Sequence, residues 1–235
     1  MNDRRMADEL AGELDALKRM AAESAVTQVV QNMLVGLGSG STAEFVLQAL
    51  ALRIRGGLRI TGVPTSERTA ARARELGIPL ALDVATDIAM DGADEVDPRT
   101  LNLIKGRGGA LLREKIVAQA SARFIVVVDD SKLVPRLGAG MLPVEVVPYG
   151  WQATARRLQD LGGDPQRRDL ITDNGNYILD CTFEPIESPE SLARELDHIA
   201  GVVEHGLFIG LATEVHVGQS SGVRIIRRDL RQLSK

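Results

Sequence analysis

Apolar residues at Leu10, Leu14, Leu17, Ala21, Ala25 and Val29 recur every three or four positions, the stripe of an amphipathic helix over Leu10 to Val30. Met33-Leu34-Val35 follows as a short buried-strand pattern, Gly36 to Gly40 interrupts it, and Ser41 to Leu52 returns to helical spacing. Leu58 to Val63 predicts a strand, and Ser66 to Leu76 a helix with Ser66 as its N-cap. Further strands are expected at Asp87–Met90, Leu101–Ile104 and Phe124–Val128, with a helix over Gly109–Ala120 between the last two. Strands that alternate with helices in this way imply an α/β fold of Rossmann-like type: a mostly parallel sheet with helices on both faces.

The rhythm changes near Leu142. Val144–Val147 reads as a strand between two prolines, and a helix is expected from Trp151 to Leu161. Strands at Asp169–Thr172 and Tyr177–Asp180 flank Asp173-Asn174-Gly175-Asn176, and Asn-Gly is a strong hairpin signal. A helix at Pro189–Ile199 and a strand at Val202-Val203 complete the order βαββαβ, that of a small ferredoxin-like α+β domain. The expected division is therefore a main domain of residues 1–141 and 208–235 and a small domain of 142–207. Phe208–Val217 and Val223–Ile226 are expected to return to the main sheet.

Composition narrows the picture. Aromatic residues make up only 3% of the 235 positions, so Ala, Val, Leu and Ile must build the core. A formal charge of −4 argues against nucleic-acid or membrane-surface binding. No apolar run approaches the ~20 residues that span a bilayer. A polar N-terminus without a leader-type apolar segment, and a lone Cys181, fit a reducing cytoplasm. About ten residues before the first helix read as a frayed extension.

Three loops could carry chemistry. Gly36 to Ala43 lies between a buried strand and a helix, where free N–H groups and the helix dipole favour an anion, and Ser39, Ser41 and Thr42 add hydroxyls. Gly38, Gly40 and Ala43 match the dinucleotide fingerprint formally, but the next strand ends in Thr61-Gly62-Val63-Pro64 without the acid that would hold a ribose. The P-loop lysine is absent too, so a sugar monophosphate is the better fit. The second loop, Asp91 to Asp97, places acids after a strand, facing the ligand crevice of a parallel sheet. With His198, His205 and His216 all late in the chain and no ligand spacing nearby, no metal is expected there. The third, Lys105 to Lys115, is a glycine-rich turn opening a helix; taken alone, Glu114 and Lys115 read as an exposed charged pair. Together, a carboxylate base, a cationic donor and a phosphate anchor suit the movement of a carbonyl between adjacent sugar carbons through an enediolate, without a cofactor.

The combination of Asp91-Gly92-Ala93-Asp94, Lys105 to Lys115 and Thr172-Asp173-Asn174-Gly175-Asn176 resembles ribose-5-phosphate isomerase of type A. The likeness runs in order from about Leu17 to Arg227 and also takes in Gly36–Ala43, Gly62–Ser66, Phe124–Lys132 and Gly201–Phe208. It implies interconversion of D-ribose 5-phosphate and D-ribulose 5-phosphate in the non-oxidative pentose phosphate pathway, with no metal. Carried over by motif, Glu114 is the general base, Lys105 stabilises the enediolate oxygen, and Asp91 and Asp94 assist ring opening and hydroxyl proton transfer. Ser39, Gly40, Ser41 and Thr42 form the phosphate loop; Gly92, Ala93, Gly106, Arg107 and Gly108 line the sugar site; Lys132 and Lys18 add substrate contacts. The resemblance also implies a homodimer or homotetramer. Two positions depart from the family pattern: Ser39 stands where Thr is common, and Arg107 where Gly is common. A nicotinamide oxidoreductase and a non-catalytic sugar-phosphate sensor are the competing readings. A sensor needs neither Glu114 nor Lys105, and the ~30 residues before Gly36 leave no room for a DNA-binding module beside the first helix.

Overall fold

A computed structural model describes residues 2–81 and 85–228, with side chains in the first helix from residue 10 onward. Helix α1 (Asn2–Val26) begins where a frayed extension is expected and leads into β1 (Leu34–Leu37), α2 (Ser41–Arg55), β2 (Thr61–Pro64) and α3 (Glu67–Glu75). The chain continues through β3 (Ile88–Asp91), β4 (Glu95–Val96), β5 (Leu103–Ile104), α4 (Leu111–Ala120), β6 (Phe124–Asp129) and a turn of 3-10 helix at Asp130–Lys132. Then come β7 (Leu142–Val146), α5 (Trp151–Asp160), β8 (Asp164–Ile171), β9 (Tyr177–Thr182), α6 (Pro189–Asp197) and β10 (Val202–His205). The last strands are β11 (Leu207–Phe208), β12 (Glu214–Gln219) and β13 (Gly222–Arg227).

The main sheet has the order β13-β12-β6-β3-β1-β2 and is parallel except at β13, which pairs antiparallel with β12 at one edge. Both faces are covered, which is why Phe124 to Val128 is an unbroken apolar run. Ile125 and Val127 pack with Val35, Leu37, Ile88 and Met90 beneath α1 and α2. The alternate residues Phe124, Val126 and Val128 join Val117 and Ala118 of α4 on the other face. β1 has β2 on one side and β3 on the other, so the connections reverse direction there. Such a reversal opens a crevice at the C-terminal ends of the strands.

Residues of the βαββαβ stretch form a second, antiparallel sheet in the order β10-β7-β9-β8, with its own apolar cluster around Val144, Leu158, Leu179 and Leu196. This is the ferredoxin-like order. Its Asn-Gly hairpin is organised by a fully buried carboxylate: Glu145 Oε1 accepts from Thr172 Oγ1 at 2.8 Å and from Asn176 Nδ2 at 2.9 Å. β8 starts five residues before the position expected from the sequence, because its first six residues, Asp164 to Asp169, are mostly polar and lie largely at the surface.

Two expectations are corrected. Leu101–Ile104 does not join the parallel sheet; only Leu103-Ile104 is extended, in a small antiparallel sheet of order β11-β5-β4, and Leu101 adopts a positive φ of 56°. Phe208 belongs to that small sheet as well, opposite Leu103, and only Glu214–Gln219 returns beside β6. An apolar run cannot reveal which of two sheets will receive it.

Candidate active site

Three ionisable side chains meet in the crevice. Asp91 is the last residue of β3, Lys105 follows β5, and Glu114 lies in the first turn of α4. Lys105 Nζ is 3.0 Å from Asp91 Oδ2 and 3.1 Å from Glu114 Oε2, and it donates to the Gly92 carbonyl at 2.7 Å. All three side chains are buried. Asp91 Oδ1 also accepts from Ser39 N at 3.1 Å and Gly92 N at 2.8 Å. Glu114 Oε2, by contrast, has no partner but this ammonium among the described residues.

These partners divide the charge. Burial raises both carboxyl groups, and Lys105 opposes the rise in each. Two backbone N–H bonds favour the ionised form of Asp91. Glu114 is pushed up to about 8 by burial first and by the Asp91 charge second. The two carboxylates in turn hold Lys105 above its ordinary range despite its burial. The cluster thus pairs a permanent cation with a carboxyl group poised to exchange a proton near neutrality.

The other end of the crevice suits an anion. α2 starts at Ser41 behind Gly40, whose φ is +97°, and among the described residues no side chain caps its first-turn N–H groups. Ser39 Oγ is committed to the Thr65, Ser66 and Thr69 hydroxyls at 2.9, 2.8 and 3.1 Å, so it braces the loop from beneath. Close approach demands glycine at position 38 and makes position 92 tight. A Cβ on Gly38 would lie 2.1 Å from Asp91 Oδ1, and one on Gly92 would lie 3.2 Å from Thr42 Cβ.

Asp94 and Arg107 face each other beside this cluster. Asp94 Oδ2 accepts from Arg107 N at 3.0 Å, and the guanidinium Nε lies 3.8 Å from Oδ1, half exposed. Lys132 sits in the turn after β6, at the same end of the sheet, and makes no ion pair among the described residues. Lys18 pairs with Asp15 at 3.1 Å. Its neighbour Leu17 packs its backbone against Gly218, near the end of β12.

Comparison with known proteins decides the family. The model for ribose 5-phosphate isomerase A (phosphoriboisomerase A) matches residues 61–222. Ribose-5-phosphate isomerase A of Gloeobacter violaceus is 53% identical over 223 residues, covering 91% of this chain and 97% of that protein. That of Chloroflexus aurantiacus is 54% identical over 219 residues, covering 88% and 91%. The chain belongs to the ribose-5-phosphate isomerase A family. Among solved members, ribose 5-phosphate isomerase A of Methanocaldococcus jannaschii superposes with a TM-score of 0.87 at 42% identity, covering 91% of this chain and 99% of that one. A D-ribose-5-phosphate isomerase solved in complex with phospho-erythronic acid gives a TM-score of 0.88 at 40% identity, covering 92% and 99%.

Within this isomerase-family fold, the crevice brings together Asp91, Lys105, Glu114 and the 39–42 loop, whereas neither Lys18 nor Lys132 contacts that cluster among the described residues. Sequence reasoning missed the Thr65-Ser66-Thr69 hydroxyls. Their small polar types before and within a helix were the available signal, but they read as a cap alone. Lys115 is corrected from an exposed partner of Glu114 to a buried group. It donates to Glu204 Oε1 at 2.5 Å and to the His205 carbonyl at 2.7 Å. Among the described residues, Asp197, Glu204 and His205 form the only trio of metal-ligand type. The Lys115 ammonium already binds Glu204 there, and His205 Nδ1 accepts from Leu207 N at 3.2 Å, leaving its Nε2 to face Asp197 as the N–H of the neutral ring. His205 stays neutral because burial, and then Lys115, push it down to about 4. Among the described residues, no helix is long and apolar enough to cross a membrane.

Proposed function

We propose that the crevice interconverts D-ribose 5-phosphate and D-ribulose 5-phosphate with Glu114 as the proton carrier. The phosphate would rest on the N–H groups of Ser41, Thr42 and Ala43, placing the reacting carbons over the buried cluster. Glu114 takes the proton from C2 of the open-chain aldose, and the electron pair forms the C1–C2 double bond of an enediolate. Lys105 holds the oxygen on which charge develops, where a buried cation is worth far more than in water. The same carboxyl group returns its proton to C1, and the hydroxyl proton moves from O2 to O1, with Asp91 or Asp94 within the site to relay it.

The observation that carries this reading is buried Glu114, its Oε2 held 3.1 Å from Lys105 and its carboxyl raised, by burial first and Asp91 second, into the range of a reversible base. Glu114→Gln should abolish turnover while leaving the affinity for ribose 5-phosphate within about threefold, because it removes the base and not the anchor. Near-wild-type turnover in that variant would refute the assignment. A homodimer or homotetramer, a cytoplasmic location and division into units 1–141 with 208–235 and 142–207 belong to the same proposal. Most of the apolar cluster of the second sheet lies in 142–207, which supports that division, and light scattering reads the assembly.

A further inference from the structure

Arg113 precedes Glu114 on α4 and ties that helix to two distant segments. Its Nη1 pairs with Glu67 Oε1 at 2.9 Å, Nε donates to Asn174 Oδ1 at 3.0 Å, and Nη2 donates to the Asp173 carbonyl at 3.1 Å. Asp173 Oδ2 closes the ring by accepting from Glu67 N at 2.8 Å, at the first residue of α3. The adjoining Ser66 and Thr69 are the groups that hold the Ser39 hydroxyl beneath the anion loop. A planar guanidinium can serve three acceptors in different directions at once, which an ammonium on a flexible stem does not reproduce.

We propose that Arg113 is a positioning residue, whose clamp on the 172–176 hairpin turn and on α3 sets the distance between Glu114 and the anion-binding loop. The inference rests on the roles given above to Glu114 and to residues 39–42. Stability is not its main purpose. Glu67 is 71% and the Arg113 side chain 32% exposed, and ion pairs of that kind contribute little to folding. Geometry is a different matter, since a displacement of about 1 Å at a reacting centre can cost about a hundredfold in rate. The hairpin is also fastened at the other end of the glycine-rich loop. Arg168, paired with Asp180, donates to the Gly106 and Arg107 carbonyls at 3.1 and 2.9 Å. Arg113 thereby completes a bridge across the segment that carries Lys105 and Glu114.

The test is steady-state kinetics of the full chain with ribose 5-phosphate, together with the inhibition constant of inorganic phosphate and a thermal melt. Arg113→Ala should lower kcat by about tenfold to a hundredfold, with KM and the phosphate constant within about twofold. Arg113→Lys should not restore kcat, and Arg113→Ala/Asp173→Ala should be no slower than the slower single variant. Wild-type kcat in Arg113→Ala overturns the proposal. So does a large rise in KM or in the phosphate constant at unchanged kcat, which would make the guanidinium a direct anion ligand. If Arg113→Ala does not fold, Asn174→Ala removes one acceptor from the turn: a lower kcat supports the clamp and an unchanged one overturns it. Glu114→Gln is run in parallel. Its activity alone decides the base assignment, so an inactive Glu114→Gln beside a fully active Arg113→Ala refutes the clamp and nothing else.

Discussion

Replacing Asp91 with Asn should move the acid limb of the pH–rate profile to lower pH. Asn keeps the side-chain shape, and its carbonyl can still accept from Ser39 N and Gly92 N, as Asp91 Oδ1 does. The lost quantity is one negative charge. Asp91 and Glu114 each lie about 3 Å from the same ammonium, so their facing oxygens are no more than about 6 Å apart. At an effective dielectric constant of about 20, that separation is worth at least about 3 kcal/mol, or about two pKa units. Glu114 acts as a base only when ionised, and its pKa is raised to about 8, so kcat/KM should climb with pH through that value. In Asp91→Asn the same limb should fall by about two units, but stay above the ordinary carboxylate range because burial persists. The assay is kcat/KM for ribose 5-phosphate across the pH range, with both proteins compared under identical conditions so that substrate ionisation cancels. Even if turnover is much reduced, the limb position is read from the shape of the curve. A limb that stays near 8, or moves upward, would refute the proposed coupling of the two carboxyl groups.

Two further outcomes are expected, the first from the family resemblance and the second from the geometry. Lys132→Ala should raise KM for ribose 5-phosphate about tenfold at little cost in kcat, since one charged contact to a phosphate is worth about 1.4 kcal/mol; a large loss of kcat at unchanged KM would contradict an anchoring role. Gly38→Ala forces a methyl group to within 2.1 Å of Asp91 Oδ1, so it should lower stability by about 1–3 kcal/mol and turnover with it, measured by denaturant melts and steady-state rates. Wild-type stability and rate in that variant would show that the loop yields without displacing Asp91.

Much of the site was legible before any coordinates. Glycines and hydroxyls between a buried strand and a helix point to an anion, and acids at a strand's C-terminal end point into a crevice, because backbone geometry imposes both relations locally. The Asn-Gly hairpin and the Ser66 cap were legible for the same reason: Gly175 supplies a φ of +79°, and Ser66 Oγ accepts from Thr69 N at 3.1 Å. That Leu103-Ile104 and Leu207-Phe208 form a small sheet apart from the parallel one was not, since it is set by their pairing with each other across about a hundred residues. Lys115 failed in the opposite direction. A charged residue beside another charged residue suggests solvent until the fold supplies Glu204 and the His205 carbonyl.

The sequence by itself determined the alternating α/β order, the inserted βαββαβ unit, the three chemical loops and the family resemblance, since these depend on periodicities and motifs a few residues long. Tertiary structure alone decided that Asp91, Lys105 and Glu114 share one buried cluster and that Ser39 is braced by three hydroxyls. It also decided that Arg113 reaches a hairpin turn 60 residues away. The reason is that charge coupling depends on distance and burial, and neither is set until separate segments of the chain pack together.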